Sequence, residues 1–266
     1  MHVHFLDPYK PRASLIHAFD PRVKLVLAVA FILAVALTPI GAWPVYVLLF
    51  AVILSVVMLS ELGVGYVLKR SALALPFVLA AIPILFTAKG VPLLAVPLGP
   101  WTLTITVEGA QRFVTILLKS WLSVQMAIVL AASTPFPQLL VAMRAVRMPR
   151  LIVAIVGLMW RYLFVLVDEV LRLLRARAAR SGDPGLPGVR IGGSLAWRAR
   201  VTGGMAGNLL VRSFDRGERI YAAMAARGYD GEVRSFPLPP IPTGQRLIMG
   251  IGLAVLLLLV LLGYLV

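Results

Sequence analysis

The chain has 266 residues, of which 60% are hydrophobic and only 14% charged, with a formal net charge of +15. A soluble globular domain carries nearer a quarter charged residues, so this composition points to the membrane. No cysteine is present, which excludes disulfides and thiolate metal sites. The three histidines, His2, His4 and His17, all lie near the N-terminus, so a zinc or haem site deeper in the chain lacks its usual ligand.

The opening "MHVHFLDPYKPRAS" is too polar and proline-broken for a secretory signal peptide. Its "MHVH" pair of imidazoles suits a transition metal in principle, but a mobile tail is the simpler expectation. Five segments approach the roughly 20 apolar residues that a membrane helix needs. They run from about Pro21 to Ile40, Trp43 to Ser60, Ser71 to Thr87, Arg112 to Ala132, and 246–266. "TPIGAWP" breaks the first from the second. Pro76 and Pro83 lie inside the third and predict kinks.

Lys10, Arg12, Arg22 and Lys24 gather at the start of the first segment, and Lys69 with Arg70 follow the second. The loop at 39–43 is uncharged. The positive-inside bias therefore puts the N-terminus in the cytoplasm. Lys119 and Gln125 are the polar residues within the fourth segment. Lys119 fits either snorkelling toward headgroups or a contact to a partner or another helix.

Residues 151–180 break the simple count. The stretch starts apolar, yet Arg144, Arg147 and Arg150 precede it and Arg172, Arg175, Arg177 and Arg180 end it. Arg161, Asp168, Arg172 and Arg175 are spaced 7, 4 and 3, which places them on one helical face. The reading is a long amphipathic helix on the inner side, with a sixth membrane span over 151–171 as the rival. Glu169 sits beside Asp168, and Asp168 is spaced to pair with Arg172.

"SGDPGLPG" at 181–188 stops that helix. A second cytoplasmic helix, or a bent pair, covers roughly 194–227. Leu210, Phe214, Tyr221 and Met224 give it an apolar stripe, and Arg212, Arg216 and Arg219 a basic ridge. Gly203, Gly204 and Gly207 permit a bend or a close crossing. "FPLPPIPTG" at 236–244 is a proline-rich linker into the last span. Between Arg172 and Arg234, twelve arginines face five acids, a local excess of +7. That block suits the cytoplasmic face and anionic lipid. No aromatic-interleaved basic motif accompanies it, which argues against nucleic acid.

The chemistry of an enzyme is missing. No G-x-x-x-x-G-K-[ST] phosphate loop, G-x-S-x-G elbow or H-E-x-x-H helix occurs. Catalytic and metal-binding residues are therefore assigned to none. What does stand out is an echo: "AARSGD" at 178–183 and "AARGYD" at 225–230, their arginines 47 positions apart. Each falls at the predicted end of a helix, with small alanines leaving the tip slim. An arginine there favours the helix macrodipole, but its planar donor fork also grips carboxylates and carbonyls on a partner. Two matching tips suggest two equal partners.

These stretches resemble the T component, or transmembrane coupling subunit, of energy-coupling factor (ECF) transporters, which carries two such signatures. Here they read Ala179-Arg180-Ser181 and Ala226-Arg227-Gly228. "SLIHAFDPRVKL" (14–25), "STPFPQLLVAMRAVRMP" (133–149), "WRYLFVLVDEVLRLLRARAARSG" (160–182) and "RGERIYAAMAARGYDG" (216–231) are similar to further stretches of that family. The last looks most like its cobalt-type members.

The resemblance implies an all-α, polytopic membrane protein of about five transmembrane helices with a cytoplasmic module of long coupling helices. The expected domains are an N-terminal segment (1–20), a four-helix membrane domain (21–133), a coupling module (134–236), and the linker with the final span (237–266). It further implies a prokaryotic cytoplasmic-membrane importer subunit. Two ABC-type ATPase subunits dock on the two signatures, and a separate membrane subunit binds the substrate. Arg161, Asp168, Glu169, Arg172, Arg212, Arg216 and Arg219 support the coupling helices. The chain binds no cofactor itself; ATP and Mg belong to the partners. The implied cargo is cobalt ion, with nickel or a vitamin as alternatives. A stand-alone permease or a phospholipid-acting membrane enzyme is the rival from another class.

Overall fold

A computed structural model describes residues 8–87, 90–98, 101–180, 194–231 and 239–265. They form two compact units, one within 8–146 and 239–265 and the other within 147–231.

The first unit opens with a short helix, α1 (Leu15–Ala18), capped by Ser14. Asp20 then caps α2 (Pro21–Leu37), accepting from the Arg22 backbone N–H at 2.9 Å with Pro21 in the first turn. A turn through Gly41, at φ +92°, leads to α3 (Trp43–Leu59). A Cβ at Gly41 would meet Gln111 Nε2 at 2.7 Å, so glycine serves both the turn and the approach. After α4 (Val64–Ser71) come a 3₁₀ turn, α5 (Leu75–Ala81) and α6 (Ile84–Thr87).

The third predicted span is thus a series of short helices rather than one. Pro76 sits in the first turn of α5 and Pro83 directly precedes α6. Each proline is tolerated at a helix start, where no backbone donor is needed, but interrupts a helix running through it.

The following loop holds an unpredicted antiparallel hairpin of β1 (Pro92–Leu98) and β2 (Trp101–Thr106), with Val96 opposite Leu103. The Thr-Leu-Thr-Ile-Thr run of β2 has the two-residue period of a strand. Thr106 caps α7 (Val107–Ser133), and α8 (Phe136–Ala145) and α11 (Thr243–Leu265) complete the unit. The architecture is otherwise helical.

Its core is packed by α2, α3, α7 and α11. Phe31 and Val35 of α2, Val45, Leu49, Ile53 and Val57 of α3, Leu122 and Met126 of α7, and Leu256 and Leu259 of α11 are buried together. The four-residue rhythm on α3 keeps one face inward. Leucines and valines on outward faces, such as Leu33, Val47 and Leu257, remain exposed. That is the pattern of helices whose outer solvent is lipid.

Polar side chains finish the helix ends. The last carbonyls of a helix lack intrahelical donors. At the end of α2, Lys119 Nζ donates to the Ala36 carbonyl at 2.8 Å and the Tyr264 hydroxyl to Leu37 at 3.1 Å. The Tyr46 hydroxyl lies within hydrogen-bond distance of the Thr38 and Pro39 carbonyls. Of the two readings open for Lys119, the structure selects the interhelical bond. Gln125, the other polar residue of that span, is buried.

The "SLIHAFDPRVKL" stretch is a fastening point within this unit. His17 bridges the Ser14 hydroxyl (2.7 Å) and the Lys10 carbonyl (3.0 Å). Arg22 pairs with Asp20 at 2.8 Å and donates to the Pro239 carbonyl at 2.6 Å. The Asp20 N–H donates to Gln245 at the start of α11. Buried Lys24 donates to the Ser133 carbonyl at the end of α7 at 3.2 Å. The hydrogen bond from the Arg22 guanidinium holds the Asp20 carboxyl below its ordinary pKa of 3.8.

The second unit consists of two long helices, α9 (Arg150–Arg180) and α10 (Leu195–Ala226). By length and composition, α7, α9 and α11 are each apolar and long enough to cross a membrane; α3, of 17 residues, is a shorter apolar helix.

Candidate functional site

Helix α10 is a single uninterrupted helix, so the bent-pair alternative does not hold. Ser194 caps it, accepting from the Trp197 N–H at 3.2 Å. A Cβ at Gly203, Gly204 or Gly207 would meet nothing within 4 Å, so these glycines serve no close crossing among the described residues.

α9 and α10 run antiparallel. The Arg177 guanidinium donates to Thr202 Oγ1 at 3.2 Å, and the Arg216 guanidinium to Glu169 at 2.6 Å. Arg212 approaches the same carboxylate at 3.7 Å while bonding Asn208. Toward the start of α9 the helices part around an apolar cavity of about 420 Å³, whose lining includes Ile155, Tyr162, Leu166, Ile220, Met224 and Tyr229.

Two expectations change here. Glu169, rather than Asp168, carries the ion pair; among the described residues Asp168 forms none and points outward, as does Arg172. The reason is rotational: Glu169 falls on the face of α9 that meets α10, and its neighbour is about 100° around the helix. The apolar stripe also shifts. Leu210, Phe214 and Tyr221 are exposed, whereas Val201, Met205, Leu209, Ser213, Arg216, Ile220 and Met224 form the more sheltered row. That row includes a serine and an arginine, so a hydrophobic pattern alone did not disclose it. Of the basic ridge, Arg216 and Arg212 turn toward Glu169, and Arg219 stays exposed, as does Arg161 on α9.

The paired tips are both accessible. Ala179 and Arg180 close α9 and are exposed; Ser181 lies outside the described residues. At the other tip, Ala226 ends α10 and Arg227 is its exposed C-cap. Gly228 follows at φ +80°. The Gly228 N–H donates to the Ala225 carbonyl and the Tyr229 N–H to that of Met224, both at 3.0 Å. This is a Schellman closure, which requires a left-handed residue after the cap and so favours glycine. Met224 and Tyr229 also line one apolar cavity. Among the described residues no group of three or more His, Asp or Glu side chains is placed to hold a metal ion.

The family model described as "CbiQ: Cobalt transport protein" matches residues 12–237, which takes in both tips. The chain belongs to this family. It is similar to the cobalt transport protein CbiQ of Salmonella typhimurium, at 27% identity over 85% of this chain and 97% of that protein. The CbiQ of Rhodobacter capsulatus is also 27% identical, over 65% of this chain and 66% of its own. The energy-coupling factor transporter transmembrane protein EcfT of Lactococcus lactis is 28% identical over 84% of this chain and 83% of its own. With CbiQ and EcfT relatives across most of its length, the chain is a T component of the ECF type and a multi-pass membrane protein.

Proposed function

We propose that this CbiQ-family chain is the coupling subunit of an ATP-driven importer in a prokaryotic cytoplasmic membrane, with its N-terminus inside. Arg180 and Arg227 each enter a groove on one of two ABC-type ATPase subunits, and the guanidinium forks hold carboxylates or carbonyls there. ATP and Mg are bound by those subunits, and their opening and closing moves α9 and α10. A separate membrane subunit binds the cargo and receives that motion. The cargo is cobalt ion. The observation that carries the reading is the pair of exposed arginines at the ends of two antiparallel helices that an ion pair joins.

The test is purification of the tagged chain from its native membrane with identification of what accompanies it. Two ATPase copies and one further membrane protein are expected. Arg180→Glu and Arg227→Glu should each weaken ATPase retention and stop uptake of labelled cobalt without lowering the amount of chain in the membrane. Normal retention in the double variant overturns the docking reading. Uptake of nickel or a vitamin in place of cobalt overturns the cargo alone.

A further inference from the structure

The repetition in this chain extends well behind the arginine tips. A 47-residue offset maps Asp168 onto Asp215, Arg172 onto Arg219, Ala176 onto Ala223 and Arg180 onto Arg227. These residues are four apart on each helix, so each set forms one row along a face. All eight are exposed. α9 and α10 thus present the same row, Asp, Arg, Ala, Arg, ending in the tip arginine.

The fold places the two rows equivalently. The same offset maps Glu169 onto Arg216, and these two residues are the ones that touch, at 2.6 Å. A contact between equivalent positions of two antiparallel helices lies on a local two-fold axis. The image of the Arg177–Thr202 hydrogen bond is the pair Met224 and Ile155, which do not bond but line the same cavity between the helices. Each tip arginine lies eleven residues beyond the axis, about 16 Å along its helix at 1.5 Å per residue.

We infer that each row is a docking surface along its full length, and that two copies of one kind of ATPase subunit read them as equals. This rests on the docking reading above and extends it to Arg172 and Arg219, with Asp168 and Asp215 completing the pattern. Each row carries two cations and one anion, so its partner surface is a groove with net acidic charge and a basic group opposite the aspartate. The alanine between the arginines leaves room for the groove wall. Arg175 is the internal contrast: it is exposed beside the row on the same face of α9, but the repeat does not include it, since its counterpart is Ala222.

The test uses the full-length chain in detergent with the purified ATPase subunits. Arg172→Glu and Arg219→Glu should each weaken binding about tenfold, as loss of one interfacial charge contact of ordinary strength does. Arg175→Glu should leave affinity unchanged. Ala176→Cys and Ala223→Cys, introduced singly into a chain without cysteine, should be shielded from maleimide by bound ATPase to the same degree; Ala206→Cys should stay reactive. Alanine-to-cysteine changes are mild, so this arm stands even where a charge reversal lowers yield. Equal weakening by Arg175→Glu, or full reactivity of both row cysteines in the complex, overturns the inference. Intact binding of the Arg180→Glu, Arg227→Glu double variant would instead defeat the docking reading on which it rests.

Discussion

Glu169 of α9 accepts a hydrogen bond from the Arg216 guanidinium of α10 at 2.6 Å, and the Glu169 side chain is only 13% exposed. Arg216 Nη1 is itself buried with no acceptor among the described residues. Removal of the carboxylate therefore leaves a sheltered guanidinium without its counter-ion, which costs more than the net value of the pair. Glu169→Gln should accelerate amide exchange in α10 near residue 216 by roughly tenfold, the scale of one coupled pair. Reversal of the pair, Glu169→Arg with Arg216→Glu, should recover much of the protection. If the single variant exchanges like the parent chain, the pair does not hold the helices together.

Gly228 is the residue at the second tip that backbone geometry demands. Its φ of +80° disfavours a side chain, although a Cβ would meet nothing within 4 Å. Gly228→Ala should cost about 1 kcal/mol through the backbone alone. Thermal unfolding of the purified chain measures this, and Tyr229 fluorescence or exchange at 225–229 should report a loosened tip. A neutral outcome would mean that the turn re-forms without left-handed geometry.

Lys119 should act as a cap within the membrane unit. Lys119→Met removes the donor to the Ala36 carbonyl and should lower stability by about 1 kcal/mol, since the bond is charged but partly exposed. Tyr264→Phe, which loses a neutral donor to Leu37, should cost less. Unfolding in detergent ranks the two; an equal or reversed order would show that the lysine charge adds nothing.

Asp20 predicts an acid-side dependence. Its folded pKa lies below the ordinary 3.8 because Arg22 bonds the ionised form. The stabilisation is fully present above that ordinary value and fades as pH falls through the lower, folded one. Asp20→Asn keeps a cap for α2 but loses the ion pair. The variant should melt earlier than the parent at neutral pH, and the gap should close in acid below the folded pKa. A gap independent of pH would assign the effect to packing instead.

Much of this was legible without coordinates. Hydrophobic runs and their flanking charges located most of the helices, because burial in lipid demands long apolar stretches whatever the tertiary arrangement. The Ala-Ala-Arg echo marked both tips, since helix stops are written locally in Gly, Pro and small residues. The 47-residue equivalence of Glu169 and Arg216 also stood in the sequence, but it joins unlike residues, an acid and a base, and so does not register as a repeat.

What the sequence by itself determined is the local: which stretches are apolar, where helices stop, and which residues are charged. Tertiary structure alone decided who meets whom. It turned Glu169 rather than Asp168 toward α10 and gave Lys119 a carbonyl on α2. The physical reason is that rotation by one residue, about 100° on a helix, decides between partner and solvent. That rotation is set by packing between helices, and spacing along either helix does not contain it.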